Sequence, residues 1–319
     1  MIIADILNRE FIFPPIIQHY VLNHRNRGQR NKIKYWNFSD IYNYNNKKIN
    51  NLIDNIENIE SNNAKIYCLK YNNGAKLRME QLFNNKCEKA TLDNRRFSNK
   101  NDIKSLTHIN DNILLLAQLY NNLQISRCFW NGCDTCPINK ELIEPYKKVC
   151  RQLDFSNKIK KIGDKYIEDH LGQNYIALHI RYQDIGNTDI KKINKLYNES
   201  DIKNLLDDLS KNESNVPVFI ATNNQKIILE SELKSYKMLE VNKNNDELES
   251  FIEQYICCRS SKFVYSGGIH AKPTHKHLRS TWSSFVLDYR YCVLNKKCSD
   301  NIYLSNHFSN NKQSYGYNY

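Results

Sequence analysis

His179, Arg181 and Asp184 close the segment Tyr175-Ile-Ala-Leu-His-Ile-Arg181-Tyr-Gln-Asp184, and their types and spacing suit anion chemistry. Tyr175 to Leu178 is an unbroken apolar run of the kind carried by a strand covered on both faces. Residues two apart on a strand share a face, so His179 and Arg181 are expected to point the same way. A guanidinium at the carboxyl end of a buried strand is costly unless an anion meets it, and open α/β sheets bind ligands at that end. Two readings stay open on this segment: a fixed cation waiting for a phosphate, or an Arg181–Asp184 surface pair at a strand end.

Two further apolar runs end in small polar groups. Val218-Phe-Ile-Ala-Thr222-Asn223 closes on residues that either cap the next helix or read a base or ribose. Phe263-Val-Tyr-Ser266-Gly267-Gly268 closes on two glycines, a plain turn or a backbone that approaches a ligand and offers it N–H groups. Beyond them, His270, His275 and His277 are laced with Lys272, Lys276 and Arg279, which repel a cation, so this run reads as a basic loop and not a metal site. Ser283-Ser284-Phe285 enters a helix, where hydroxyls are caps by default and an anion also binds well.

These strand ends need a sheet to bring them together. In the second half, apolar strands (175–180, 216–221, near 238–241, 262–265) alternate with amphipathic helices (201–211, 224–234, 246–258, 281–293), the pattern of a parallel sheet covered on both faces. A long helix is expected over 151–171, and in the first half a strand at 65–69 and a helix over 110–123 with Asp111 as its N-cap. A domain boundary is placed near 150, giving domains 1–150 and 151–295. The tail from 296 to 319, Asn- and Tyr-rich toward its end, is expected to be disordered.

With 319 residues, the chain is long enough for two ordinary domains. A net charge of +12 suits anionic partners, yet the lysines are spread along the whole chain without an aromatic-interleaved stripe, so nucleic acid is not expected. The spacing of Cys128, Cys133 and Cys136 superficially matches an iron–sulfur run, but Cys150 sits at no standard distance. Buried thiols or disulfides fit better than metal, and Cys292 with Cys298 could close a small loop. No stretch is apolar enough to span a membrane, and the start lacks a signal-peptide pattern, which leaves the compartment open.

The ordered set of motifs resembles the GDP-fucose protein O-fucosyltransferases and their plant-type relatives. Ala4-Asp-Ile-Leu-Asn8-Arg9 leading to Pro14-Pro15 is similar to that family's A-x-x-L-N-R-x-L-V-x-P segment, and Phe38-Ser39-Asp40-Ile41-Tyr42 to its F-S-D-I-F element. Tyr175 to Arg181 resembles its strand ending in H-x-R. Val218 to Asn223 resembles F-I-A-T-D, with Asn223 where Asp is usual. Two alignments of the last element stay open: Ser283-Ser284-Phe285 as the S-S-F triplet, or Gly268 to Lys272 with His277 and Arg279 as the plant-type G-N-M-A-K…H-R-R run.

The resemblance implies an α/β, GT-B-like fold of two Rossmann-type domains with a cleft between them. It implies inverting, metal-independent transfer of L-fucose from GDP-fucose to a protein or glycan hydroxyl. Arg181 would hold the β-phosphate and stabilise the departing GDP, His179 would contact the nucleotide and Asn223 the guanosine, with Thr222 beside it as a further donor-binding candidate. Gly268, or Ser283, Ser284 and Phe285, would meet the phosphates, and the base is either Asp184 or a carboxylate of the family's segment that precedes Met1 here. No cofactor beyond the donor substrate is implied. The family's G-G-x-N loop precedes the helix that contains Met1 here, so the first domain is expected to lack its first strand and that loop. Asn223 and the missing loop leave a non-catalytic nucleotide- or glycan-binding relative as the alternative. The resemblance implies a secretory lumen, whereas a true start at Met1 implies the cytoplasm.

Overall fold

Short apolar runs become parallel strands in both halves of the chain. The computed structural model describes residues 4, 6–9, 16–17, 35–44, 65–68, 88–89, 100–108, 114–117, 140–180, 199–222, 225–239, 246–266 and 281–304. It divides into two units, residues 1–154 and 155–319.

In the first unit, β1 (Ile16–Ile17) pairs antiparallel with β2 (Tyr35–Trp36), followed by a helical turn α1 (Phe38–Ile41) and β3 (Tyr42–Tyr44). The Asn37 N–H donates to the Asp40 carboxylate at 3.0 Å at the start of that turn. Three parallel strands follow in the order β5 (Glu88–Lys89), β4 (Lys65–Cys68), β6 (Leu114–Ala117). The helix expected over 110–123 is therefore wrong at its centre: Leu114–Ala117 is a strand. Ile113 to Ala117 is a continuous apolar run, which fits a buried strand as well as a helix, and pairing along β4 decides between them. Between β5 and β6 lies α2 (Lys100–Lys104), continued by a 3-10 turn, Ser105–His108; Ile103 and Leu106 are buried there. The unit ends with α3 (Lys140–Gln152), which runs into β7 (Leu153–Phe155).

The helix expected over 151–171 is likewise divided. Leu153–Phe155 is extended, and α4 (Asn157–His170) begins only after Ser156, whose hydroxyl accepts the Ile159 N–H. A capping hydroxyl satisfies one of the N–H groups that a helix start leaves without an intrahelical partner, which fixes the restart here.

The second unit carries β8 (Ile176–Ile180), α5 (Glu199–Asn212), β9 (Val218–Thr222), α6 (Gln225–Leu229), α7 (Asp246–Arg259), β10 (Lys262–Tyr265), α8 (Thr281–Cys292) and β11 (Asn301–Tyr303). All its strands run parallel, in the order β11-β10-β8-β9. Strand alternation divides β8 between two cores. Ile176, Leu178 and Ile180 pack with Ile202, Leu205 and Leu206 of α5, Ile228 of α6 and Leu233. The opposite face carries Ala177, His179, Phe219 and Phe263, under α4, α7 and α8. β11 lies inside the segment expected to be a disordered tail; Leu304 after it is fully buried. Cys292 is a free, buried thiol, so no loop is closed with Cys298; Cys257 and Cys258 are also free and buried. No helix among the described residues is long and apolar enough to cross a membrane.

Two contacts hold the α4, α7 and α8 layer. Gly163 of α4 lies against the ring of Tyr255 of α7, and a Cβ at 163 would collide with Cδ1 of that ring. The Tyr255 hydroxyl donates to Asp164 at 2.6 Å, and its ring meets Phe155 edge-on, so it cannot swing aside freely. The second contact is Arg290, which is 0% exposed. Its Nη1 donates to the carbonyls of Ser260 (2.6 Å) and Cys258 (3.1 Å), its Nη2 to those of Ser261 (3.1 Å) and Asp300 (3.2 Å), and its Nε to the Asn301 side chain (2.7 Å). Helix carbonyls left without an intrahelical donor carry partial negative charge, and one buried fork satisfies those at the end of α7. Burial lowers the Arg290 pKa, with nearby Cys258 and Asp300 opposing.

Gly163→Ala is expected to destabilise by about 1–3 kcal/mol of overpacking, outweighing the ~1 kcal/mol gained from helix propensity. A raised melting temperature would contradict this. Arg290→Met leaves buried carbonyls without donors and is expected to cost about 3–5 kcal/mol, read as a lower urea midpoint at unchanged slope.

Candidate functional site

The parallel register brings three strand ends to one edge. Ile180 lies beside Thr222, and His179 sits between Ala221 and Tyr265. Ser266, just past β10, donates its N–H to the His179 carbonyl at 2.9 Å. His179 is only 4% exposed, and Thr222 and Ser266 are buried too. Buried polar groups of this kind are stable only when hydrogen-bonded.

The first turn of α8 meets this edge. Ser283, fully buried, has its Oγ 2.6 Å from Nδ1 of His179. The Trp282 indole stacks on the imidazole, with ring centroids 4.0 Å apart and planes 20° apart. Trp282 is held in turn by α7: its Nε1–H donates to Ser250 Oγ at 2.9 Å, and its carbonyl accepts from Gln254 Nε2 at 3.4 Å. The first turn of α8 therefore lies against the edge where β8 and β10 stop, and the amino end of a helix is a place that suits an anion.

Of the sequence-predicted site residues, the structure brings together His179, Thr222 and Ser283. Ser284 lies in the same helical turn. Phe285 packs edge-on against Phe155 (5.6 Å) and stacks on Tyr289 (6.2 Å), as a wall of the aromatic core under the site. Two residues along a helix lie on nearly opposite faces, which separates Phe285 from Ser283. Arg181, Asp184, Asn223 and Gly268 lie outside the described residues, as do Cys128, Cys133, Cys136, His270, His275 and His277. Among the described residues, no group of three His, Cys, Asp or Glu is placed to hold a metal.

Sequence reasoning missed Glu253. It lies in α7, is 6% exposed, and its carboxylate accepts the Thr222 N–H at the end of β9. Burial holds its pKa well above the ordinary 4.5; Glu249 raises it further, and the Thr222 bond opposes. Its signal was present: an acid between apolar Ile252 and Tyr255, in a helix that is buried without interruption from Ile252 to Cys258.

The family model described as GDP-fucose protein O-fucosyltransferase matches residues 1–269, ending before α8. POFUT1 in complex with GDP matches at TM-score 0.60 and 13% identity, over 94% of this chain and 91% of that one. POFUT1 in complex with GDP-fucose matches at TM-score 0.58 and 12% identity, over 94% and 90%. At that identity the likeness establishes the fold, which is α/β and GT-B-like. No curated protein matches the sequence.

The raised pKa of Glu253 makes stability pH-dependent. The folded state keeps this proton to higher pH than the unfolded chain does, so the contribution is whole below the ordinary carboxylate pKa. It is lost as pH rises toward the raised folded value, by at most about 1.4 kcal/mol per pH unit. Glu253→Gln, neutral and still an acceptor for Thr222, is expected to melt higher than wild type at pH 8 and level with it near pH 4.5. A gap that does not grow with pH would refute this.

Proposed function

Because the chain belongs to the GDP-fucose protein O-fucosyltransferase family, we propose that it moves L-fucose from GDP-fucose to a hydroxyl of a protein or glycan acceptor. The transfer inverts the anomeric centre and uses no metal. The observation that carries this reading is the 2.6 Å bond between Ser283 and His179 at the carboxyl edge of the sheet. It joins the H-x-R strand to the S-S-F helix and supports the S-S-F alignment of the last element.

In this reading the nucleotide lies along the strand ends. His179 contacts it, Thr222 and Asn223 read the guanosine, and Ser283, Ser284 and Gly268 face the pyrophosphate. Arg181, two residues beyond His179, holds the β-phosphate. The bond from the anomeric carbon to the β-phosphate oxygen breaks with its electron pair leaving on GDP. The acceptor oxygen attacks from the opposite face, and its proton passes to Asp184. Negative charge grows on the departing diphosphate, where a bidentate guanidinium and the amino end of α8 supply the compensating positive charge.

GDP release from GDP-fucose, with a glycan or folded protein acceptor added, tests the reading. Arg181→Ala is expected to lower kcat/KM by about 10²–10³-fold and to weaken GDP binding. Salt-resistant GDP binding without turnover would instead make the chain a binding relative, the role that Asn223 in place of Asp favours. Loss of all binding at moderate salt would return the argument to a non-specific polyanion surface.

A further inference from the structure

Trp282 is the residue of the α8 first turn that the proposed chemistry does not use. Its indole lies flat on His179, while Ser283, the next residue, holds Nδ1 of the same ring. Ser266 holds the His179 backbone. The histidine is thus fixed at its main chain, at one ring nitrogen and on one ring face. Trp282 is fixed just as fully, since Ser250 and Gln254 stand one turn apart on α7 and grip its indole N–H and its carbonyl.

The Ser250 bond indicates what the tryptophan does. Ser250 is exposed, so water could satisfy the indole N–H nearly as well, and the net gain in stability from that bond is only about 1 kcal/mol. Any apolar side chain would cover His179 equally. What the tether adds is orientation: it removes the freedom of the indole to flip about its own χ angles, and the stacked imidazole follows its plane.

We infer that Trp282, tethered to α7 through Ser250, is a positioning residue that sets the plane of His179 and shields it from water, so that the imidazole meets the donor nucleotide in one orientation. This rests on the nucleotide-sugar reading above. It extends that reading from the strand ends to α7, which has no direct part in binding.

Three variants separate orientation from packing. Trp282→Val removes stack and tether, Trp282→Phe keeps a stack without the tether, and Ser250→Ala removes the tether alone. The readouts are the His179 imidazole resonances by NMR and the kcat and KM for GDP release from GDP-fucose. Trp282→Val is expected to move the His179 ring-proton signal downfield, through loss of ring-current shielding, and to lower kcat/KM by roughly 10–100-fold. Trp282→Phe is expected to restore the ring shielding but not kcat/KM, and Ser250→Ala, with the stack kept, to broaden or split the His179 signal and lower kcat/KM likewise. Variants that only melt lower, with His179 signals and kcat/KM as in wild type, overturn the inference. If Trp282→Val does not fold, Ser250→Ala decides on the same signals, its exposed position leaving the core intact. The NMR arm needs no donor. A wild-type chain that releases no GDP would sink the transfer reading and leave the NMR arm to decide the role of Trp282.

Discussion

A single buried guanidinium sets where the α8 helix lies. Arg290 gathers the last carbonyls of α7, the carbonyl of Asp300 and the side chain of Asn301. A charge taken fully out of water is tolerable only with all its donors used, and this fork reaches six residues, from the end of α7 to the start of β11. Lysine could not replace it, because a single ammonium cannot reach carbonyls on both sides of a helix end. Seven residues separate Arg290 from Ser283, about 10 Å along a helix. An anchor at one end of α8 therefore fixes the height of its other end, and with it the distance from Ser283 to His179.

The site edge follows from that geometry. His179, Ser266, Thr222, Ser283 and Glu253 are buried and polar, and their bonds join different elements: β8 to α8, β8 to the end of β10, β9 to α7. Such a network fails as a unit, since losing one member leaves its partner buried and unsatisfied. Preorganisation of this kind suits phosphate chemistry, where donors must already be in place when charge develops on a leaving group. Burial also raises the Glu253 pKa, which favours the neutral form of a carboxyl beside this edge.

The parts of the fold legible in the sequence are those where pattern and burial agree. Ile176–Ile180, Val218–Thr222 and Lys262–Tyr265 are short apolar runs flanked by helices, and a strand covered on both faces leaves no other reading. Legibility failed where local pattern was ambiguous. Leu114–Ala117 reads as helix or strand until β4 is beside it, and Leu153–Phe155 looks like helix until Ser156 caps the next one. β11 is missed for another reason: Asn301–Tyr303 carries little apolar signal and is held by β10 and Arg290. His179 and Ser283 were picked out by residue type, but their bond depends on the fold. Trp282 and Arg290 gave no motif at all, because Trp282 is held by partners 28 and 32 residues away and Arg290 mainly by carbonyls 29 to 33 residues away; Glu253 gave none because its contact is with Thr222 on another element.

Two helices divide the work at this edge in a way that chain order hides. α8 supplies the groups that face the edge, while α7 supplies none directly but grips α8 at Trp282, contacts β9 through Glu253, and ends on the guanidinium of Arg290. A mutation in α7 is thus expected to act on the site through geometry, and one in the first turn of α8 through contact. The family match ends at residue 269, before α8 begins, so the α8 contribution is read from packing where the motif runs out. Polar burial along Thr281–Cys292 falls at the helix's start and at its anchor: Ser283 near one end, Asp288 and Arg290 near the other, and Val286 and Leu287 buried in the apolar core between them.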